Sequence, residues 1–150
     1  MPVWRGKQRR RTVSTEQEIL KSSRVIAVVG LSPNHDRPSY RVASYLKEHG
    51  YRIIPVNPQH KEILGEPSYA DLGSIPQPVD VVDVFRRSEE VPDIVEEAIK
   101  IGAKAVWLQE GVINERAATR AKEAGLLVVM DKCMFKEHQK WGGQNESSSH

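Results

Sequence analysis

Cysteine occurs once in the 150 residues, at Cys133. A single thiol excludes an internal disulfide framework and a cysteine-based zinc cluster. It suits a reducing compartment, so a cytoplasmic location is expected. No apolar run approaches the roughly 18 residues that cross a bilayer, and no membrane is expected as a partner. The stretch MPVWRGKQRRRTV lacks the apolar core of a secretory signal, so none is expected. Net charge is only +2, which excludes a general electrostatic field for nucleic acid. Also missing are the second glycine of G-x-G-x-x-G and the lysine–hydroxyl pair of a Walker loop, so neither common phosphate loop is present.

What is present is a soluble composition, 39% hydrophobic and 28% charged, and a length that fits one domain with one sizeable core. Residues 1–13 are basic and aperiodic and read as a flexible arm. Residues 14–141 carry the domain. Residues 142–150, GGQNESSSH, are small and polar, and a disordered tail is expected there.

The domain alternates. STEQEILKSS (14–23) reads as a short helix, with Ser14 and Gln17 forming a capping box. RVIAVVG (24–30), YRIIPVNP (51–58), PVDVVDVF (78–85), AKAVWLQ (103–109) and LLVVM (126–130) read as strands, β-branched and nearly all apolar, as strands buried on both faces must be. Helices are expected at 39–50, 88–102 and 113–125, each closed by glycine. This order predicts a doubly wound α/β fold: a Rossmann-like, five-stranded parallel sheet with helices on both faces. Ligands of such sheets sit beyond the carboxyl ends of the strands, at the switch point in strand order. The loops to read therefore begin at Gly30, Pro55, Phe85, Gln109 and Met130.

The first loop, GLSPNHDRPSYR, offers backbone freedom at Gly30, a hydroxyl and N–H at Ser32, and Pro38 near a helix start. Free N–H groups and the helix dipole attract an anion there. Arg37 and Arg41 add charge and forked hydrogen bonds. A phosphate or pyrophosphate site is one reading, and a β-branched side chain at Gly30 would fill the phosphate's space. The bland alternative is a turn with surface arginines. The second loop, PVNPQHKE, lacks the acidic residue that holds ribose hydroxyls in NAD sites. Neutral Asn57, followed by His60 and Lys61, tolerates an additional ribose phosphate, which covers both NADP and coenzyme A. A plain Asn-Pro turn is the alternative. In VFRRSEEVP, Phe85 could pack on an adenine and Arg86 or Arg87 could meet phosphate, unless the arginines simply pair with surface acids. Glu110 has no evident partner to tune it as a general base.

These blocks in order, VVGLSPNHDRPSYRVASYL, GYRIIPVNP, EILGEPSYADL, PVDVVDVFRRSEEVP, IGAKAVWLQEGV and AGLLVVMDKCMFKEH, resemble the small stand-alone CoA-binding proteins. The fold of that family is similar to the N-terminal CoA-binding domain of the succinyl-CoA synthetase alpha subunit. The resemblance covers about residues 24–138. It implies coenzyme A held across the strand ends. By matching motif, Gly30, Leu31 and Ser32 approach the phosphates and Arg37, Pro38 and Ser39 complete that loop. Pro55, Val56 and Asn57 flank the adenosine. Val84, Phe85 and Arg86 border the ligand, and Gln109, Glu110 and Gly111 lie near the pantetheine path.

The synthetases act through a phosphorylated histidine on a further domain. None of His35, His49, His60, His138 and His150 matches that motif, so ligase activity does not carry over. Cys133 lies just past the fifth strand, on the ligand side, where Lys132 would favour its thiolate and Asp131 would oppose it. It is a candidate contact for the CoA thiol, with a semi-buried structural thiol as the alternative. No catalytic constellation emerges. The reading is a non-catalytic protein binding CoA or acyl-CoA. An NADP-dependent oxidoreductase and a nucleotide-binding regulatory protein are the alternatives. RGKQRRR could contact nucleic-acid phosphates, but a solvated arm explains it as well.

Overall fold

The computed structural model describes residues 13–148, with side chains as far as Trp141. The expected basic arm lies almost wholly outside the described residues. Five parallel strands form one sheet: β1 (Val25–Val29), β2 (Arg52–Val56), β5 (Val81–Val84), β6 (Ala105–Leu108) and β7 (Leu127–Val129). A separate two-stranded hairpin pairs β3 (Glu62–Ile63) with β4 (Glu66–Pro67). The sheet order is β2–β1–β5–β6–β7. The chain thus leaves β1 toward one edge, returns, and continues on the other side of β1. The doubly wound, Rossmann-like fold is as the alternation predicts.

Side chains alternate across a strand, so each strand feeds two cores. On one face, Ala27, Val82, Val84, Val106 and Leu108 meet α3 (Val91–Lys100) and α4 (Glu115–Glu123) through Val91, Val95 and Ala121. On the other, Ile26, Val28, Val81 and Trp107 meet α1 (Thr15–Ser22), α2 (Pro38–Glu48) and α5 (Met134–Ser148) through Ile19, Leu20, Leu46 and Met134. Ser14 caps α1, its hydroxyl accepting from the Gln17 N–H.

Two elements were not expected. The β3–β4 hairpin is fastened by Lys47, whose Nζ donates to the Leu64 carbonyl at 2.8 Å and pairs with Glu66 at 3.0 Å. Helix α5 starts beside Cys133 and runs to Ser148, so the backbone of 142–148 is helical where a disordered tail was expected. Once Met134 and His138 are buried, extending the helix needs no new nucleus, and a polar segment without proline can follow.

The amino ends of the strands are tied together by Asp80. Its Oδ2 accepts from the N–H groups of Arg24 at 2.9 Å and Val25 at 3.0 Å. Lys104 stands 3.4 Å from Oδ1. Burial pushes this carboxyl upward, but the two backbone donors and Lys104 outweigh it and hold it below the usual range.

Candidate functional site

The switch in strand order falls between β1 and β5, so their carboxyl ends, Gly30 and Phe85, diverge into a crevice. A cleft of about 700 Å³ opens there. Gly30 is required at its base. Its φ is +89°, and a Cβ would come within 2.5 Å of the Phe85 carbonyl and 2.8 Å of Arg86 Cδ. The constraint is therefore internal: the two strand ends and the Arg86 stem leave no room for a side chain.

Of the residues singled out in sequence, Gly30, Ser32, Arg37, Asn57, Phe85, Arg86, Gln109 and Glu110 line this cleft. Sequence reasoning did not assign Pro33, Gln59, Glu90 and Val112, which line it as well. His60, read as tolerating a ribose phosphate, and Arg87, read as an alternative phosphate contact, line it too. Leu31, Val56 and Val84 are buried core residues, and Pro55 lies within β2. None of these four lines the cleft. Pro38 occupies the first turn of α2. Gly111 is absent from the cleft lining, and its N–H donates to Asp131 Oδ1 at 2.8 Å. Cys133 is also absent from the lining. It packs against the same core as Leu46 and Met134, and Lys132 Nζ stands 3.4 Å from Glu16.

The first loop is prebuilt, but its amides are not free. The Gly30 N–H donates to the Val56 carbonyl at 3.0 Å. The Ser32 N–H donates to the buried Ser39 Oγ, and the Ser32 hydroxyl accepts from the Asn34 N–H, each at 3.0 Å. Asp36 donates to Asn34 Oδ1 and Arg37 to the Asn34 carbonyl. Asn57 clamps the same loop by donating to the Leu31 carbonyl at 3.0 Å, while its Oδ1 accepts from the Gln59 N–H. The free N–H groups expected for an anion are thus largely spent on local turns. The arginine side chains around the cleft are Arg37, Arg86 and Arg87. Among the described residues Arg37 has no ion-pair partner, and it is exposed.

Arg86 and Arg87 share Glu90. Arg86 reaches Oε1 with Nη2 at 2.6 Å and Nε at 2.8 Å, and Arg87 Nε lies 3.2 Å from Oε2. The Arg86 hydrogen bond above all, with Arg87 behind it, holds Glu90 below the usual carboxylate range. Glu110 pairs with Lys136 of α5 at 2.9 Å.

Behind the cleft lies a buried polar relay. Asp83, in the middle of the sheet, is fully buried. Gln109 Nε2 donates to its Oδ1, and Gln109 Oε1 accepts from the Met134 N–H at 3.3 Å. The Gln109 amide is thus committed inward at both ends. Among the described residues Asp83 Oδ2 has no hydrogen-bond partner. Burial pushes this carboxyl up to about 7, against the lowering effect of Gln109. No group of three or more metal-ligating side chains occurs among the described residues. No described helix is long and apolar enough to cross a membrane.

A family model described as a CoA binding domain matches residues 24–139. The chain is 45% identical over 122 residues to "Uncharacterized protein YneT" of Bacillus subtilis, covering 81% of this chain and 90% of that one. It is 26% identical over 121 residues to an ADP-forming acetate–CoA ligase of Archaeoglobus fulgidus. That match spans 74% of this chain but only 18% of the ligase. A hypothetical protein from Pyrococcus horikoshii OT3 has a solved structure that superposes with a TM-score of 0.82 at 39% identity, over 93% of this chain and 98% of that one.

Proposed function

Because the chain belongs to the CoA binding domain family, we propose that residues 14–141 form a domain that binds coenzyme A or an acyl-CoA in the cleft at the switch point, without catalysing a reaction on it. One observation carries this reading: a cleft lined by Arg37, Arg86 and Arg87, with a neutral asparagine just past β2. Cationic side chains suit a diphosphate. A carboxylate at the end of β2 would repel a phosphate on the ribose, whereas Asn57 and His60 accept one. Phe85, half-buried at the cleft wall, supplies an apolar surface for the base or the pantetheine arm. Glu110, the acid nearest that path, is paired with Lys136. A general acid or base needs a proton to exchange with substrate and a tuned environment, and no such arrangement supports a catalytic role here.

The test is thermal unfolding of the purified chain with coenzyme A, dephospho-CoA, ADP, NAD and NADP. A ligand at 100 times its Kd stabilises by about 2.7 kcal/mol, which is readily measured. The largest shift is expected with coenzyme A, with a smaller one for dephospho-CoA. Stabilisation by NADP alone would replace this reading with that of an oxidoreductase.

A further inference from the structure

Strands β5 and β6 pair as far as Val84 and Leu108, and the chain beyond each contributes to the cleft. One segment brings Phe85, Arg86 and Arg87, and the other brings Gln109 and Glu110. Among the described residues, every hydrogen bond between 85–90 and 110–114 runs through Ser88. Its Oγ accepts from the Ile113 N–H at 2.9 Å and lies 3.5 Å from the Gly111 carbonyl oxygen. Its own carbonyl accepts from Asn114 Nδ2 at 3.0 Å. Neither Ser88 nor Asn114 lines the cleft. The pairs that Glu90 makes with Arg86 and Arg87 stay within the first segment, so they cannot fix its place relative to the second.

Neither residue is explained by its local helix. A serine at a helix start ordinarily caps it. Yet the 3-10 turn Ser88–Glu90 and the helix α3 that follows have no side-chain capping bond. The Ser88 hydroxyl is spent across the chain instead. Asn114 does cap α4, its Oδ1 accepting from the Ala117 N–H at 3.0 Å. That duty uses only the oxygen, and the amide nitrogen is what reaches Ser88.

We propose that Ser88 and Asn114 are positioning residues, a brace that holds the arginine-bearing segment in place against the segment after β6 before a ligand arrives. This rests on the reading of the cleft as the coenzyme A site. The Phe85 N–H is anchored separately, on the Val29 carbonyl at 2.9 Å, so the freedom released by breaking the brace begins at Arg86. Arg86 and Arg87 are exposed, and little else on that side restrains their backbone. Binding to an unbraced cleft would carry the cost of ordering this segment, which the brace meets in advance.

Two variants separate the brace from the cap. Asn114→Ser and Asn114→Ala both remove the amide that reaches Ser88, but serine keeps an oxygen for the cap of α4 and alanine does not. The experiment is calorimetric titration of the full chain and each variant with coenzyme A, beside urea unfolding of each free protein. Coenzyme A is expected to bind about three- to tenfold more weakly to both variants alike, the scale of one neutral hydrogen bond. The urea midpoint is expected to fall further for Asn114→Ala than for Asn114→Ser. Ser88→Ala, which leaves the cap of α4 intact, should weaken coenzyme A to a similar extent. Affinity that tracks the urea midpoint across the three variants, or that is unchanged in Asn114→Ser and Ser88→Ala, would overturn the positioning role and leave the coenzyme A reading standing. No binding of coenzyme A by the unaltered chain would overturn that reading and this inference with it.

Discussion

Two aspartates stand three residues apart, Asp80 just before strand β5 and Asp83 within it, and their surroundings differ. Asp80 lies at the amino end of the sheet, with two backbone donors and a lysine around it. Asp83 lies toward the carboxyl end, under the cleft, with one amide donor and one oxygen without a hydrogen-bond partner among the described residues. At the first, each carboxylate oxygen has a protein partner. At the second, they stop short. The same division holds for the two ends of the sheet. The amino ends are closed by hydrogen bonds, and the carboxyl ends leave Arg37 and the neighbouring cleft open. The lesson is that the amino end spends its polar groups on stability and the carboxyl end leaves some of them uncommitted.

The comparison breaks most clearly at Asp83. Its folded value of about 7 stands above its ordinary 3.8, so between these values the native chain keeps a proton that the unfolded chain has lost. Stability should therefore fall as pH rises from about 4 to about 7 and level off above. Asp83→Asn removes this dependence and should be more stable than the unaltered chain at pH 8, by up to roughly 4 kcal/mol. Urea unfolding across pH checks it; parallel profiles for the two chains would refute the assignment. Asp80→Ala is next. Two backbone N–H groups lose their acceptor, and a loss of about 2–3 kcal/mol is expected from denaturant midpoints, with ligand affinity unchanged. If affinity falls in proportion, the two ends are not separable. Arg37→Ala is the mirror experiment. It should weaken coenzyme A by roughly 1.5–3 kcal/mol, the range of a charge-assisted hydrogen bond, with the melting temperature of the free chain intact. An equal loss for a ligand lacking the diphosphate would remove Arg37 from the phosphate site. Arg120→Ala is the smallest. Its pair with Glu96, 2.8 Å apart, is solvent-exposed and far from the cleft, so neither melting temperature nor affinity should move measurably.

Alternation made most of the fold legible. RVIAVVG and PVDVVDVF read as strands buried on both faces, and four of the five loops chosen by the switch-point rule contribute to the cleft lining. The hairpin escaped because each of its strands has two residues, too few for a period. Helix α5 escaped because its heading, MDKCMFKEH, was read for the thiol. Met134, His138 and Trp141 recur at helical spacing and were the available signal. Within the site, residue types were readable and their commitments were not. Nothing in GLSPNHDR says that Ser32 spends its N–H on Ser39, since that bond depends on how α2 enters. Nor did SEEVP reveal that Arg86 and Arg87 pair with Glu90 while lining the cleft. Gly30→Val, which looks in sequence like a test of phosphate entry, would strike the Phe85 carbonyl first. It would therefore report on folding before it reported on a ligand.

Trp107 sits in register beside Asp83 on the adjacent strand, wholly buried, with its indole N–H bonded to the Lys132 carbonyl at 2.9 Å. The protein therefore carries an optical probe within its most pH-sensitive neighbourhood. Ionisation of the carboxyl places a charge next to the indole, and displacement of the turn before α5 breaks its hydrogen bond. With Trp4 and Trp141 replaced by phenylalanine, the emission of this one chromophore would follow either event in real time, without a label.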